Sequence, residues 1–450
     1  MNPEARTFPT PALTVIPRER HVISRKNISK AALRVLYRLH DAGYDAFLVG
    51  GAVRDLLLGG HPKDFDVATN ATPDEVKKLF RNCRLIGRRF RLAHVVFGPE
   101  IIEVATFRGT GEEEGGDGDR HIVDGLIVRD NVWGTIEEDA VRRDFRVNAL
   151  YYDISDFSVR DYVGGMQDLE QRVLHLIGDP ATRYREDPVR MLRAARLAAK
   201  LGFTIDPRAA APFEELGPLL TESSPARLFD ESLKLFLAGH GLKSFRMLEQ
   251  CGLLKFMFPA TARALRRGDQ ALRSLIEQGL ANTDARIAEG KSVTPAFLFA
   301  VLLWGEVRDL AHAWMAKGVD GNEAWARAAA HVVGEQCQRV AIPRRFTLTM
   351  EEIWSLQPRF EQIQRKRVFR LMAHPRFRAA FDFLLLRGAE SPALRELGQW
   401  WAHAQQLPQE VLAAALPASG GKTGADAAAT AAPPRKRRRR RKSGHKPDSA

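Results

Sequence analysis

Lys63-Asp64-Phe65-Asp66-Val67-Ala68 places two carboxylates one residue apart between apolar side chains. Polar and apolar residues alternate as in a strand, where residues two apart share a face. Asp64 and Asp66 then stand side by side while Phe65 and Val67 enter a core. Adjacent carboxylates repel unless a cation lies between them. A pair of Mg²⁺ ions meets that need and also serves in-line phosphoryl transfer. Solvated carboxylates on an edge strand would read identically, so the surroundings must decide.

Upstream, residues 46–49 form a short buried strand that ends at Gly50-Gly51, and a helix follows around residues 53–58. Backbone N–H groups at such a junction can cradle phosphates, because glycine allows close approach and a helix start is electropositive. Arg54, one turn in, could pair with a triphosphate oxygen. A tight turn with a surface arginine is the plain alternative. No Gly-Lys-Ser/Thr follows, which counts against ATPase and kinase readings. Further out, the spacing predicts a helix over residues 29–42 and another begun by Thr72 as N-cap with Pro73 after it. A hairpin of residues 95–97 and 101–107, a helix at 138–143, and strands at 147–154 and 159–162 complete a mixed α/β unit. Residues 109–119 read as a mobile Gly/Glu/Asp loop. Beyond residue 179 the period is helical to about residue 404.

Two other clusters carry chemistry. In Arg142-Arg143-Asp144-Phe145, followed by Asn148, Arg143 is a second candidate phosphate clamp and Asp144 a third candidate carboxylate. Glu103, on the strand 101–107, competes for that role. A surface Arg143–Asp144 pair would be the bland explanation. In Glu186-Asp187-Pro188-Val189-Arg190-Met191-Leu192-Arg193-Ala194-Ala195-Arg196, Asp187 reads as a helix N-cap. The arginines recur every three residues, drifting only about 60° per step around a helix. Asp187, Arg190 and Arg193 can thus face one cavity, where guanidinium and carboxylate match the edges of a nucleotide base. A solvated cationic face is the competing account.

The 450 residues suit two or three domains and need no covalent staples. Three scattered cysteines, Cys83, Cys251 and Cys337, make neither a disulfide scaffold nor a zinc site. The longest apolar run, residues 296–304, is too short for a membrane span, and the first residues carry no apolar signal segment, so the expectation is a cytoplasmic protein. There are 68 Lys and Arg against 55 Asp and Glu, a net of +13. Residues 406–450 hold ten of those cations and three acids, including an unbroken run of eight cations at 435–442. Like charges this dense predict a disordered tail that binds phosphate backbones. A solubilising tail or attachment to an anionic membrane surface are the alternatives.

Leu48-Val49-Gly50-Gly51-Ala52-Val53-Arg54-Asp55, the Asp64-Phe65-Asp66 strand, Arg143-Asp144-Phe145 with Asn148, and Glu186-Asp187-Pro188-Val189-Arg190 occur in that order. Together they resemble the signature of the class II nucleotidyltransferases, which contain the tRNA CCA-adding enzymes and the bacterial poly(A) polymerases. Leu85-Ile86-Gly87-Arg88-Arg89-Phe90-Arg91-Leu92-Ala93-His94, Arg129-Asp130-Asn131 and Asp161-Tyr162-Val163-Gly164-Gly165-Met166 are similar to the poly(A) polymerase branch. So are Pro295-Ala296-Phe297-Leu298-Phe299-Ala300 and the Arg-rich end. The resemblance implies an α+β fold: a DNA polymerase beta-like head at 28–178 behind a flexible arm at 1–27. A helical neck at 179–270, a helical body at 271–405 and a disordered tail at 406–450 would follow. It implies template-independent transfer of AMP from ATP to RNA 3′ ends with two Mg²⁺ ions, RNA being held largely without sequence preference. Asp64 and Asp66 would bind the metals, with Asp144 as the third catalytic acid and Glu103 still open. Gly51, Arg54 and Arg143 would hold the triphosphate. Asp187 and Arg190 would read the base, supported by Arg193 and Arg196. A CCA-adding enzyme, or a non-catalytic RNA-binding protein, are the rival readings.

Overall fold

The computed structural model describes residues 13–87, 91–109, 120–123, 126–130 and 132–417. The head is built on an eight-stranded sheet. In chain order its elements are β1 (Thr14–Ile16), α1 (Lys30–Asp41), β2 (Ala46–Val49), α2 (Gly51–Leu57), β3 (Asp66–Thr69), α3 (Pro73–Leu79), β4 (Cys83–Ile86), β5 (Leu92–Phe97) and β6 (Glu100–Thr106). A separate hairpin, β7 (Arg120–Val123) and β8 (Leu126–Asp130), comes next. Then follow α4 (Ile136–Arg142), β9 (Leu150–Asp153), β10 (Val159–Asp161) and α5 (Gly165–Gln171). The strands lie in the order β1-β10-β9-β2-β3-β6-β5-β4. All neighbours run antiparallel except β3 and β6, which are parallel.

β2 is buried at every position. Ala46 and Leu48 join the core under α1 and α2, whereas Phe47 and Val49 join a second cluster with Ala140 and Tyr151. An unbroken apolar run is what a strand covered on both faces requires. The helix expected at 29–42 is α1, with the Ser29 side chain accepting from the Ala32 N–H. Thr72 caps α3 in a full capping box with Glu75.

Several boundaries shift. The strand expected over 63–68 begins only at Asp66. Asp66 pairs with Val49, the last residue of β2, and Gly50 then turns away at φ +77°, so residues 64 and 65 have no β2 partner. Residues 146–148 form a 3₁₀ turn, so the strand expected at 147–154 is confined to β9. Of the arm expected to be loose over 1–27, residues 1–12 lie outside the described residues and the rest is ordered: β1 pairs with β10, and Ile16 and Ile23, with Ile28 just beyond, are buried. Isolated isoleucines in a polar background leave no periodicity to read. At the other end, the helix Gln409–Ala415 falls inside the stretch expected to be disordered from 406. Its Leu412, with Leu416, packs into a cluster around Phe360, Phe381 and Trp401. The loop expected at 109–119, beyond Gly109, and the cation run at 435–442 lie outside the described residues.

After the head the chain is helical, from α6 (Pro180–Glu186) and α7 (Val189–Leu201) onward. Head, neck and most of the body share one continuous core from Ile16 to Leu386.

Candidate active site

The sheet register assembles the site. Tyr151, Val49, Asp66, Glu103 and His94 are successive cross-strand partners on β9, β2, β3, β6 and β5. Residues directly opposite share a face, so Glu103 stands beside Asp66. Both line a cleft of about 640 Å³ between the sheet and the first neck helices. Asp66 still reaches solvent, but the cleft walls enclose it. Burial, then the Glu103 charge, then that of Asp64, push its carboxyl up to about 6, with Arg143 pulling the other way. Asp64, exposed just ahead of β3, does not line the cleft.

Among the described residues no group of three or more His, Cys, Asp or Glu converges as a ready-made metal cage. Asp66 and Glu103 instead gather negative charge at one place with Asp64 near, Arg143 acting on Asp66 and His94 Nε2 lying 3.4 Å from Glu103. That donor set fits Mg²⁺, which is commonly held by one or two carboxylates plus substrate oxygens and water.

Opposite the carboxylates stands a cationic wall. α4 is started by a capping box between Thr135 and Glu138 and stops at Arg143. Arg143 donates through Nε and Nη2 to Asp139 (3.1 and 2.9 Å) and through Nε to the Tyr151 hydroxyl (2.9 Å). Its Nη1 lies beside Gly50: a β-carbon there would sit 3.8 Å from that nitrogen and from Asp66 Oδ2. Gly50 thus keeps open a gap between a guanidinium and a carboxylate.

Arg54 is placed differently from the expectation. It is buried, does not line the cleft, and donates to Asp55 (2.6 Å) and to Asn148 Oδ1 (2.5 Å). Asn148 in turn donates to Asp144 Oδ1 (3.1 Å). Asp144 also accepts from the Phe145 N–H (2.8 Å) and from both Nε and Nη2 of Arg193. Burial disfavours its charge, but Arg193, Asn148 and the Phe145 N–H outweigh this and hold its carboxyl at about 2. Asp144 is therefore a committed ion-pair partner, while Glu103 is the carboxylate in register with Asp66.

α7 brings Asp187, Arg190 and Arg193 to the cleft, as the spacing suggested. Asp187 is not the N-cap of α7; that position is Pro188, and Asp187 closes α6 instead. Its carboxylate accepts from the Val189 N–H (3.3 Å) and from Arg227 (3.0 and 3.1 Å). Arg190 donates to Glu186 (2.9 Å) and to the Arg183 carbonyl (2.7 Å). Arg196 does not line the cleft but pairs with buried Glu231, which does (2.6 Å). Six residues past Arg190 it has turned about 120° around the helix.

Asp139, Arg183 and Arg227 join the site without having been expected there. Asp139 lies four residues before Arg143, a helical ion-pair spacing that could have flagged it. Arg183 donates to the carbonyls of Arg142 (2.7 Å) and Arg143 (2.9 Å), locking neck to head. Arg227 sits on the helix Pro225–Phe236 and had no local signal.

Known proteins show the same layout. Residues 46–175 match the model of the poly A polymerase head domain. Residues 202–265 match a probable RNA and SrmB-binding site of polymerase A, and residues 317–443 the polymerase A arginine-rich C-terminus. Poly(A) polymerase I of Salmonella typhi is 55% identical over 403 residues, 88% of this chain and 86% of that protein. The chain belongs to the poly(A) polymerase family. A CCA-adding enzyme of Lactobacillus johnsonii is 36% identical over 223 residues, 50% of this chain and 54% of that protein. The Bacillus stearothermophilus CCA-adding enzyme, solved in complex with CTP, superposes with a TM-score of 0.56 at 25% identity, covering 83% of this chain and 82% of that one. The nucleotidyltransferase head and helical neck are thus common to both branches.

Proposed function

We propose that this chain is a template-independent poly(A) polymerase, transferring AMP from ATP to RNA 3′ ends. The observation that carries the reading is the 55% identity to a poly(A) polymerase over 88% of the chain, a span far beyond the half shared with the CCA-adding relative. In the reaction the RNA 3′-hydroxyl gives up its proton to solvent, its oxygen bonds to the α-phosphorus, the bond from that phosphorus to the α–β bridging oxygen breaks, and pyrophosphate leaves with its electron pair. Arg143 and the Gly50-Gly51 backbone receive the triphosphate, electrostatic positioning being the main task in such transfers. Asp187 and Arg190 face the adenine, with Arg227 and Glu186 fixing their rotamers. Asp64, Asp66 and Glu103 would hold Mg²⁺, which supplies activation of the 3′-hydroxyl and charge neutralisation at pyrophosphate. Arg193 lines the cleft and holds Asp144, and Arg196 supports the cleft wall through its ion pair with Glu231.

No helix among the described residues is long and apolar enough to cross a membrane, and Cys83, Cys251 and Cys337 are free thiols, which suits a cytoplasmic enzyme. The test is incubation of a generic RNA, and of tRNA lacking its terminal CCA, with each NTP and Mg²⁺, followed by sequencing of the products. ATP-specific tails on generic RNA are expected. Two cytidines and one adenosine added to the truncated tRNA alone would make this a CCA-adding enzyme.

A further inference from the structure

A second cavity, also about 640 Å³, lies in the body between the helices Gly321–Arg339, Arg344–Phe360 and Arg365–Met372. Its lining includes Arg359, Arg367, Arg370 and His374, and contains no Asp or Glu. Elsewhere in the body several arginines are neutralised: Arg376 pairs with Glu352, Arg378 with Asp382 and Arg387 with Glu390. Among the described residues no carboxylate lies within 4 Å of Arg359, Arg367 or Arg370, and Arg367 donates to the neutral Gln362 amide (2.9 Å). Arg365, Lys366 and Arg367 also fill the first turn of their helix, where the helix dipole favours anions. Helix stability does not explain cations at that position, and mutual repulsion across one concavity works against the fold. A polyanion in the cavity offsets both.

We propose that this cleft is a second RNA site, gripping the phosphodiester backbone of RNA whose 3′ end occupies the catalytic cleft. The proposal rests on the poly(A) polymerase reading and names the part of the body that holds the strand. Asn322, Ser355 and Gln362 add neutral hydrogen-bonding groups suited to phosphate and 2′-hydroxyl oxygens. The aromatic residue of the lining, Trp325, is 8% exposed and stacked on Trp304 at 5.2 Å, so it offers no free platform for a base. Backbone contacts without base stacking give binding indifferent to sequence. The Arg365 N–H donates to the Pro417 carbonyl (3.3 Å), so the chain leads into its Arg-rich end from beside this cleft. Like charge rules out that segment as the occupant.

The test uses the full chain carrying Arg359→Gln with Arg370→Gln, both exposed positions, and Arg378→Gln as a control outside the cleft. Binding of a long RNA and of a short oligonucleotide that fills only the catalytic cleft is measured against salt, alongside ATP KM and kcat. The expected result is a fall in long-RNA affinity on the order of tenfold at low salt and a salt slope flatter by about 1.4, for two phosphates no longer neutralised. Short-oligonucleotide affinity, ATP KM and kcat should stay unchanged, as should the control. Unaltered long-RNA affinity and slope in a folded variant would overturn the proposal. So would a changed ATP KM, which makes this a nucleotide site. A wild-type chain that fails to add AMP defeats the catalytic reading separately, because the binding comparison needs no turnover.

Discussion

Asp64, Asp66, Glu103 and Asp144, among the carboxylates in or beside the cleft, divide into two roles by what touches them. Asp64, Asp66 and Glu103 gather negative charge at the proposed metal site, so Asp64→Asn or Asp66→Asn should lower nucleotide incorporation by more than about 10²–10³, the cost of one preorganised electrostatic contact. Unfolding midpoints should stay near wild type. Asp144 and Glu103 then separate cleanly. Glu103→Gln should cut kcat and raise the Mg²⁺ concentration needed for half-activity, whereas Asp144→Asn should mainly lower stability; the reverse pattern would return the third catalytic role to Asp144. The Asp144–Arg193 pair also carries a pH signature. The Asp144 carboxyl sits at about 2, below an unfolded value near 3.9. Its contribution of about 2 kcal/mol is therefore full above about pH 5 and disappears as pH falls toward 2. Arg193→Met should lose about that much stability at pH 7 and show a shallower decline between pH 4 and 2, read from urea unfolding at several pH values.

At the scale of elements, turns aim the chemistry. Gly50 ends β2 at φ +77°, ψ −139°, a conformation that a β-carbon strains, and it holds the gap between Arg143 and Asp66. Gly50→Ala should cost about 1–3 kcal/mol in backbone strain and raise the KM for ATP, measured by thermal unfolding and steady-state kinetics. Normal KM and normal stability together would mean the turn has no part in holding phosphate. The run Asp161-Tyr162-Val163-Gly164-Gly165-Met166 has a local explanation of its own. The Asp161 carboxylate accepts from the N–H groups of Val163, Gly164, Gly165 and Met166 at 2.9–3.1 Å, capping α5. A β-carbon on Gly165 would lie 2.3 Å from the Arg146 carbonyl oxygen, so the motif is structural and braces the segment that carries Asp144 and Asn148.

Across the whole molecule, polar ties hold the neck against the head while the shared core runs beneath. Arg183 reaches the Arg142 and Arg143 carbonyls, Arg193 reaches Asp144, and Lys200 reaches Asp55 (2.9 Å). The cleft walls therefore come from both domains and depend on their docking. The C-terminal end gives a clear test of where folding stops and charge begins. Truncation after residue 417 should leave stability and kcat on saturating RNA unchanged while flattening the salt dependence of RNA binding, since the run of eight cations is gone. Truncation after residue 405 also removes buried Leu412 and Leu416 and should cost several kcal/mol, at about 1.5–3 kcal/mol for each buried leucine. Equal unfolding midpoints for the two truncations would show that the last helix contributes nothing to the fold.

The alternation around Asp64-Phe65-Asp66 marked a strand that starts only at Asp66, where pairing with Val49 begins. The Gly50-Gly51 turn and the Thr72 cap, by contrast, each act within a few residues and were legible from neighbours alone. The three-residue spacing put Asp187, Arg190 and Arg193 on one cleft for the same reason. Only the tertiary structure decided which partner each group keeps. Arg54 went to Asn148, Arg196 to Glu231 and Asp144 to Arg193 because those partners lie 94, 35 and 49 residues away, and no local spacing encodes such distances. Glu103 gained its place beside Asp66 through the parallel pairing of β6 with β3. A hydrogen-bonded register is set by the packing of two faces of a sheet, and it exists only once the chain has closed on itself.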